Sequence, residues 1–114
     1  MKHWYSRPVF FVKDAPASLA FFVEKLGFSV DWNHTEEGRA FVCQVKRDGF
    51  ELILAENADR AGRSRVFISL DAEQTSALLA DLDRRQIPTR HSHWGMPVIE
   101  ILDLDGNELV FSPP

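Results

Sequence analysis

Two histidines come closest to a metal-binding or acid–base pattern in this sequence. His91 and His93 are separated by one residue, and in a strand that alternate spacing puts both imidazoles on one face. A bound ion normally takes about four ligands, and His3 and His34 are distant in the sequence. The spacing leaves open a metal role, a ligand contact and an exposed rim position. We predict that His93 contacts a ligand, and we predict no metal and no cofactor.

A pair of carboxylates stands at matching places in the two halves of the chain. Glu51 and Glu108 each follow two residues after an Asp-Gly dipeptide. General acid–base catalysis requires a partner group and a shifted pKa, and the sequence indicates neither. We therefore predict no catalytic residue. The two carboxylates either balance a cationic ligand or are solvated near the turns.

Three aromatic residues complete the candidate site. Trp94 precedes Gly95 in a predicted loop, where its indole offers a flat surface for stacking on a planar ligand. Trp32 and Phe41 lie on predicted strands, with a core position as the alternative for each. The predicted ligand-binding set is Trp94, Trp32, Phe41, Glu51, Glu108 and His93.

Short strands and two helices must position these side chains. In the first half, Asp14 is a favourable N-cap, Pro16 follows in the first helical turn, and Gly27 ends the helix. In the second half, Asp71 and Gln74 match a capping box. The predicted strands are 9–12, 28–32, 41–45, 50–55, 66–70, 89–91, 98–102 and 108–111, with a loop over 33–38. The predicted helices carry apolar stripes at Leu19, Phe22, Val23 and Leu26, and at Thr75, Leu78, Leu79 and Leu82.

The two halves repeat one unit. Asp14 and Asp71, Gly49 and Gly106, and several further pairs are each 57 residues apart. Element order and spacing agree, so the sequence predicts an internal duplication. We expect an α+β fold of two βαβββ modules in a single domain over residues 1–114, with module one at about 7–56 and module two at about 64–112.

The chain resembles the vicinal oxygen chelate superfamily of glyoxalases, bleomycin-resistance proteins and extradiol dioxygenases, and bleomycin-resistance proteins most of all. The resemblance extends from about residue 7 to 111 and rests on the order and spacing of several motifs together. It implies incomplete barrels whose concave faces form a ligand cleft. The residues that carry it are Val9 to Asp14, Ser18 to Phe22, Lys25 to Phe28, Trp94 to Met96 and Asp103 to Asn107.

The metal ligands of that superfamily do not carry over to this chain. The resemblance implies a His or Glu early in the first strand and on the last strand of each module. Those positions hold Arg7 and Ile53 in module one, and Ser64 or Arg65 and Val110 in module two. A charged guanidinium and an aliphatic group cannot ligate a cation. We therefore expect that the metal site has been lost.

Composition excludes several classes of function. The net charge is −4 and the basic residues are scattered, so the sequence indicates no basic patch that would bind nucleic acid. No apolar run approaches the length of a membrane span or a signal peptide, so we expect a cytoplasmic protein with no membrane partner. The single cysteine, Cys43, rules out an intrachain disulfide.

The favoured function is a metal-free, homodimeric protein that binds a planar or cationic drug-like molecule, as the resemblance to antibiotic-resistance proteins implies. A metal-dependent lyase, isomerase or dioxygenase of the same superfamily is the alternative. A regulatory module with a vestigial cleft is a third possibility. Metal analysis and ligand-induced changes in melting temperature discriminate among the three.

Overall fold

The structure is a computed structural model that describes residues 3–114. Met1 and Lys2, part of the N-terminus used for the targeting prediction, lie outside the described residues. Within this range no helix combines the length and hydrophobicity needed to cross a bilayer. The elements in chain order are β1 (Val9–Val12), α1 (Ala15–Glu24), β2 (Ser29–Glu36), β3 (Arg39–Arg47), β4 (Phe50–Glu56), β5 (Arg65–Ser69), α2 (Ala72–Arg84), β6 (Arg90–His93), β7 (Pro97–Leu102) and β8 (Glu108–Ser112).

The strands form two four-stranded sheets of identical topology. The first sheet has the order β1-β4-β3-β2 and the second the order β5-β8-β7-β6. In each sheet the first and last strands of the module pair in parallel, and all other neighbours are antiparallel. Neither sheet of the described chain closes into a barrel. The predicted α+β fold of two βαβββ units is confirmed.

Both helices begin at the predicted aspartate caps. The backbone N–H of Ala17 donates to Asp14 Oδ1 at 2.9 Å, with Pro16 in the first turn. The backbone N–H of Gln74 donates to Asp71 Oδ1 at 2.7 Å, and Gln74 Oε1 accepts from the Asp71 N–H at 3.0 Å. The capping box therefore satisfies two backbone donors that a helix start leaves without partners.

The hairpin between β2 and β3 differs from the predicted loop over 33–38. β2 continues to Glu36 and β3 begins at Arg39. Only Glu37 and Gly38 form the turn, with φ values of 53° and 77°. Polar residues in the predicted loop pair with β3, as His34 does with Val42. An edge strand in water accommodates polar side chains on both faces, so polarity was a misleading sign of a loop here.

Module two departs from the prediction in two further places. The predicted apolar stripe of α2 included Leu79, which is exposed, whereas Leu78, Leu82 and the charged Asp81 are buried. Asp81 faces inward because arginines surround it, a tertiary effect that helical periodicity does not reveal. Strand β6 spans Arg90–His93 instead of the predicted 89–91.

One hydrophobic core joins the two modules. Leu54 on β4 and Phe111 on β8 both belong to it, and the helices contribute Phe22 and Leu82. Successive side chains of a strand point to opposite faces. Each sheet therefore turns one face toward the shared core and the other face outward.

Candidate functional site

The outward faces of the two sheets carry most of the predicted site residues. We call the outward side of the first sheet the first outer face and that of the second sheet the second outer face. Residues that pair directly across a ladder lie on the same side. By this register the first outer face carries Val9, Trp32, Gln44, Glu51 and Ile53. The second carries Arg65, Phe67, Arg90, Glu100, Glu108 and Val110.

The ladders also identify the counterpart of Arg7 in module two. Extending the β1–β4 register by two residues places Arg7 beside Glu51. On the second sheet Arg65 pairs with Glu108, which is the counterpart of Glu51. The position that the sequence left open between Ser64 and Arg65 is therefore Arg65.

The side chains at the four positions where the resemblance implies metal ligands do not fit a divalent cation. Arg7 and Arg65 carry guanidinium groups without an available lone pair, and Ile53 and Val110 are hydrocarbons. Within residues 3–114, no three His, Cys, Asp or Glu side chains come together as a candidate metal group. These four positions therefore supply no ligand to a metal ion.

A buried amide organises the first outer face. Gln44 accepts a hydrogen bond from Arg7 Nη1 at 2.7 Å. Its Nε2 donates to Asp31 Oδ2 at 2.6 Å and to Glu51 Oε2 at 3.2 Å. Lys46 Nζ lies 3.4 Å from Asp31 Oδ1. The two carboxylates of this face therefore already have protein partners.

Two ion pairs organise the second outer face. Arg65 Nη2 donates to Glu108 Oε1 at 3.2 Å, and Arg90 Nε donates to Glu100 Oε1 at 2.6 Å. Ser92 Oγ adds a hydrogen bond to Glu100 at 3.3 Å. The hydrogen bond from Arg90 lowers the pKa of Glu100 although burial opposes the change. Glu100 is therefore an anion at neutral pH and does not have the raised pKa of a general acid.

An aromatic pair lies on the second outer face. Trp94 is held in the turn after β6, where its backbone N–H donates to the Met96 carbonyl at 2.9 Å. Its ring centroid lies 5.8 Å from that of Phe67, with an interplanar angle of 32°. The guanidinium carbon of Arg65 lies 5.5 Å from the indole centroid. Trp94 is 40% exposed and Phe67 43% exposed, so both rings remain accessible to a ligand.

Four predicted site residues lie on the outer faces, in two groups. Trp94 and Glu108 are joined through Arg65 on the second outer face. Trp32 lies opposite Gln44, which binds Glu51, on the first outer face.

Phe41 and His93 lie elsewhere. Phe41 is two residues from the buried Cys43 on β3, so strand alternation places it on the inward side. His93 shares its side of β6 with His91, which pairs with the inward residue Ile99. Phe41 lay on a predicted strand, whereas His93 lay beyond the predicted strand 89–91 and is the last residue of β6. The side of the strand on which each residue lies depends on a register that the sequence did not establish.

Sequence reasoning missed four residues of these faces. Phe67 contacts Trp94, and Gln44, Arg90 and Glu100 form the polar networks. One signal was available for Gln44, the only polar residue in the run Phe41 to Val45. Phe67 follows Arg65 by two residues, but the predicted strand began at residue 66; only β5 as observed, which begins at Arg65, places both on one side.

A groove of about 950 Å³ lies at the junction of the modules. Arg47 Nη1 donates to the Leu26 carbonyl at 2.6 Å and to Asp81 Oδ2 at 3.1 Å. Arg85 donates to the Glu24 carbonyl. Because these arginines bind the C-terminal end of α1 and a buried carboxylate, we assign them to the joining of the modules.

Comparison with protein families gives one match over nearly the whole chain. A family described as "Glyoxalase superfamily protein" matches residues 5–113. No curated protein sequence matches the chain.

Several solved structures share the fold. TnmS3, an antibiotic binding protein from Streptomyces sp. CB03234, is 21% identical, with a TM-score of 0.74 and coverage of 100% of this chain and 98% of that one. The bleomycin-binding protein of Streptomyces verticillus, in complex with copper(II)-bleomycin, is 19% identical, with a TM-score of 0.74 and the same coverage. A lactoylglutathione lyase from Agrobacterium tumefaciens is 16% identical, with a TM-score of 0.71 and coverage of 96% and 92%. At these identities the similarity shows the fold alone.

Proposed function

Because the chain belongs to the glyoxalase superfamily and lacks ligating side chains at the metal positions, we propose that it binds a planar aromatic small molecule without a metal ion. The ligand lies on the outer faces of the sheets. Shape, stacking rings and a few polar anchors suffice for such binding. The proposal involves no catalytic residue and no cofactor.

The observation that carries the proposal is the exposed aromatic pair of Trp94 and Phe67. Adjacent exposed apolar groups with a polar rim are typical of binding sites. Among the similar structures are an antibiotic binding protein and a bleomycin-binding protein. These similarities favour a drug-like ligand, and sequestration of that ligand would confer antibiotic resistance.

A second copy of the chain is part of the proposal. The inward faces share one core, so each outer face lacks an opposing sheet within the described chain. Val9, Trp32 and Phe67 on these faces are exposed apolar side chains. A symmetric homodimer would cover them and enclose the ligand. We therefore propose that the cleft is complete only in the dimer.

The alternative is an enzyme that uses a metal ion. A lactoylglutathione lyase has the same fold. That chemistry requires several nitrogen or oxygen ligands around the ion, and Arg7, Ile53, Arg65 and Val110 supply none. Metal analysis of protein purified without chelator distinguishes the two functions, since a metalloenzyme would contain near-stoichiometric metal.

The binding function is tested by calorimetric titration with naphthalene-2-methanol, a neutral planar probe. Trp94→Ala removes the stacking surface and is expected to weaken binding by about 1–3 kcal/mol, or roughly 5- to 150-fold. The melting temperature should change little, because Trp94 lies in an exposed turn.

Trp4→Ala is the matched control, since Trp4 is fully exposed and lies before β1. Its affinity for the probe should equal that of the wild type. An unchanged affinity in Trp94→Ala would contradict the proposal. A fall in melting temperature without a specific loss of affinity would instead assign Trp94 to the fold.

A further inference from the structure

We infer that the second outer face selects a planar aromatic ligand bearing an anionic oxygen, either a carboxylate or an ionised hydroxyl, and that Arg65 binds this oxygen. The inference rests on the proposed function and adds the chemical class of the ligand. It also reverses the expectation that Glu108 balances a cationic ligand.

The acidic and basic groups of the second outer face lie at different depths. The side chains of Glu100 and Glu108 are only 5% and 23% exposed, whereas those of their partners Arg90 and Arg65 are 67% and 61% exposed. The carboxylates therefore lie beneath the guanidinium groups. A ligand approaching this face meets N–H donors before it meets any carboxylate oxygen.

Arg65 has unused hydrogen-bonding capacity. Among the described residues its guanidinium donates one hydrogen bond, from Nη2 to Glu108 Oε1. A guanidinium group carries several further N–H groups in one plane. These suit the two oxygens of a carboxylate, and hydrogen bonds between charged partners are stronger than neutral ones.

The position of Arg65 beside the aromatic pair links charge to stacking. Its guanidinium carbon is 5.5 Å from the centroid of the Trp94 ring, which in turn contacts Phe67. A ligand that packs against these exposed rings brings its edge next to Arg65. Stacking and the charged contact can therefore be made by one aromatic molecule.

A cationic ligand finds no equivalent anchor here. The indole face would attract a cation, but the guanidinium of Arg65 already lies over that ring. Glu100 and Glu108 both have arginine partners. A cation would have to displace one of these arginines while being repelled by the other.

The test compares three probes with one ring system and different charges: 2-naphthoate, naphthalene-2-methanol and 2-naphthylmethylammonium. Calorimetric titration of the full chain at neutral pH should show 2-naphthoate binding about tenfold tighter than the alcohol, the effect of charge-assisted hydrogen bonds. The ammonium probe should bind more weakly than the alcohol. Arg65→Gln should abolish the preference for 2-naphthoate over the alcohol. Because it also leaves Glu108 without its arginine partner, the ammonium probe should no longer bind more weakly than the alcohol.

Arg63→Gln is the matched control, because Arg63 is exposed and precedes β5. It makes the same change in net charge and should preserve the tenfold preference. Arg65→Gln/Glu108→Gln removes both members of the ion pair and should also abolish the preference for 2-naphthoate. This double variant leaves no unpaired charge, so it provides the test if Arg65→Gln alone does not fold. In the wild type, a tenfold increase in KCl should weaken 2-naphthoate binding and leave the alcohol unchanged.

The inference is overturned if the ammonium probe binds as tightly as 2-naphthoate, or if the anion preference persists without Arg65. If the alcohol binds and loses affinity in Trp94→Ala but charge has no effect, only this inference fails. If none of the three probes binds, the proposed function fails as well.

Discussion

Asp81 allows a direct test of how the two modules are joined. It lies on α2 in module two, and its Oδ2 accepts a hydrogen bond from Arg47 of module one at 3.1 Å. Arg85 Nε donates to Oδ1 at 2.8 Å, and Arg84 donates to the same oxygen. One buried carboxylate therefore accepts hydrogen bonds from three guanidinium groups.

Asp81→Asn removes the negative charge and leaves its partners in place. Breaking a buried ion pair costs about 3–5 kcal/mol, because it leaves an uncompensated charge. Arg84 is largely exposed, while Arg47 and Arg85 are mostly buried. We therefore expect a smaller loss of about 2–3 kcal/mol in the free energy of unfolding, or roughly 10 °C in melting temperature.

Urea denaturation measures this loss, with Asp83→Asn as the control. Asp83 lies on the same helix, is exposed, and undergoes the same change of charge. Its substitution should alter the free energy of unfolding by less than about 0.5 kcal/mol. If the two variants were equally stable, Asp81 would not join the modules.

The pH dependence of unfolding provides a second readout for the same residue. Burial alone would raise the pKa of Asp81, but hydrogen bonds from Arg85 and Arg84 and the charges of Arg85 and Arg47 lower it from 3.8 to about 2. The carboxylate therefore stabilises the fold above its unfolded pKa, and this contribution is lost as the pH falls toward 2. After allowance for solvent screening it amounts to about 1–2 kcal/mol. The wild type should lose stability below about pH 4 more steeply than Asp81→Asn.

Three further predictions concern metal, assembly and packing. EDTA should leave the free energy of unfolding unchanged, and a loss above about 1 kcal/mol would reveal a bound metal. Light scattering at tens of micromolar should report about twice 13.0 kDa, and a monomer would contradict the dimer. Gly27→Ala should destabilise the fold more than Gly38→Ala, as measured by urea denaturation. Both glycines have positive φ, but an added Cβ would have close neighbours only at Gly27, where Arg47 Nη1 would lie at 3.0 Å and Asp81 Oδ2 at 3.1 Å. Equal losses in the free energy of unfolding would show that this crowding is unimportant.

Local signals predicted much of the fold. The aspartate caps at Asp14 and Asp71 and the turn at Asp48-Gly49 depend on residues close together in sequence, and the structure confirms them. The 57-residue repeat then indicated that both modules have one topology. Such features are predictable because their energetics involve only neighbouring residues.

The buried face of α2 was predicted wrongly, because residues outside the helical pattern determine which side chains are buried. Helical periodicity favoured Leu79 over Asp81 for the buried stripe, because a leucine gains more than an aspartate from burial. Arg47, from the other module, and Arg85 reverse that preference for Asp81. Arg47 and Asp81 are 34 residues apart in the sequence. The pattern of residues within α2 therefore cannot indicate that these two side chains form an ion pair.

The residues that form the candidate site depend on the strand register, because the offset between equivalent positions of the two modules differs by one residue along the chain. The carboxylates Glu51 and Glu108 are 57 residues apart, whereas Arg7 and its counterpart Arg65 are 58 apart. Because side chains alternate along a strand, an error of one residue would exchange the outward and inward sides of β5. It would place Ser64 on the second outer face and remove both Arg65 and Phe67 from it. The pairing of Arg65 with Glu108 is therefore what brings the guanidinium and the Phe67 ring against Trp94, and the charge preference proposed for the ligand follows from that register.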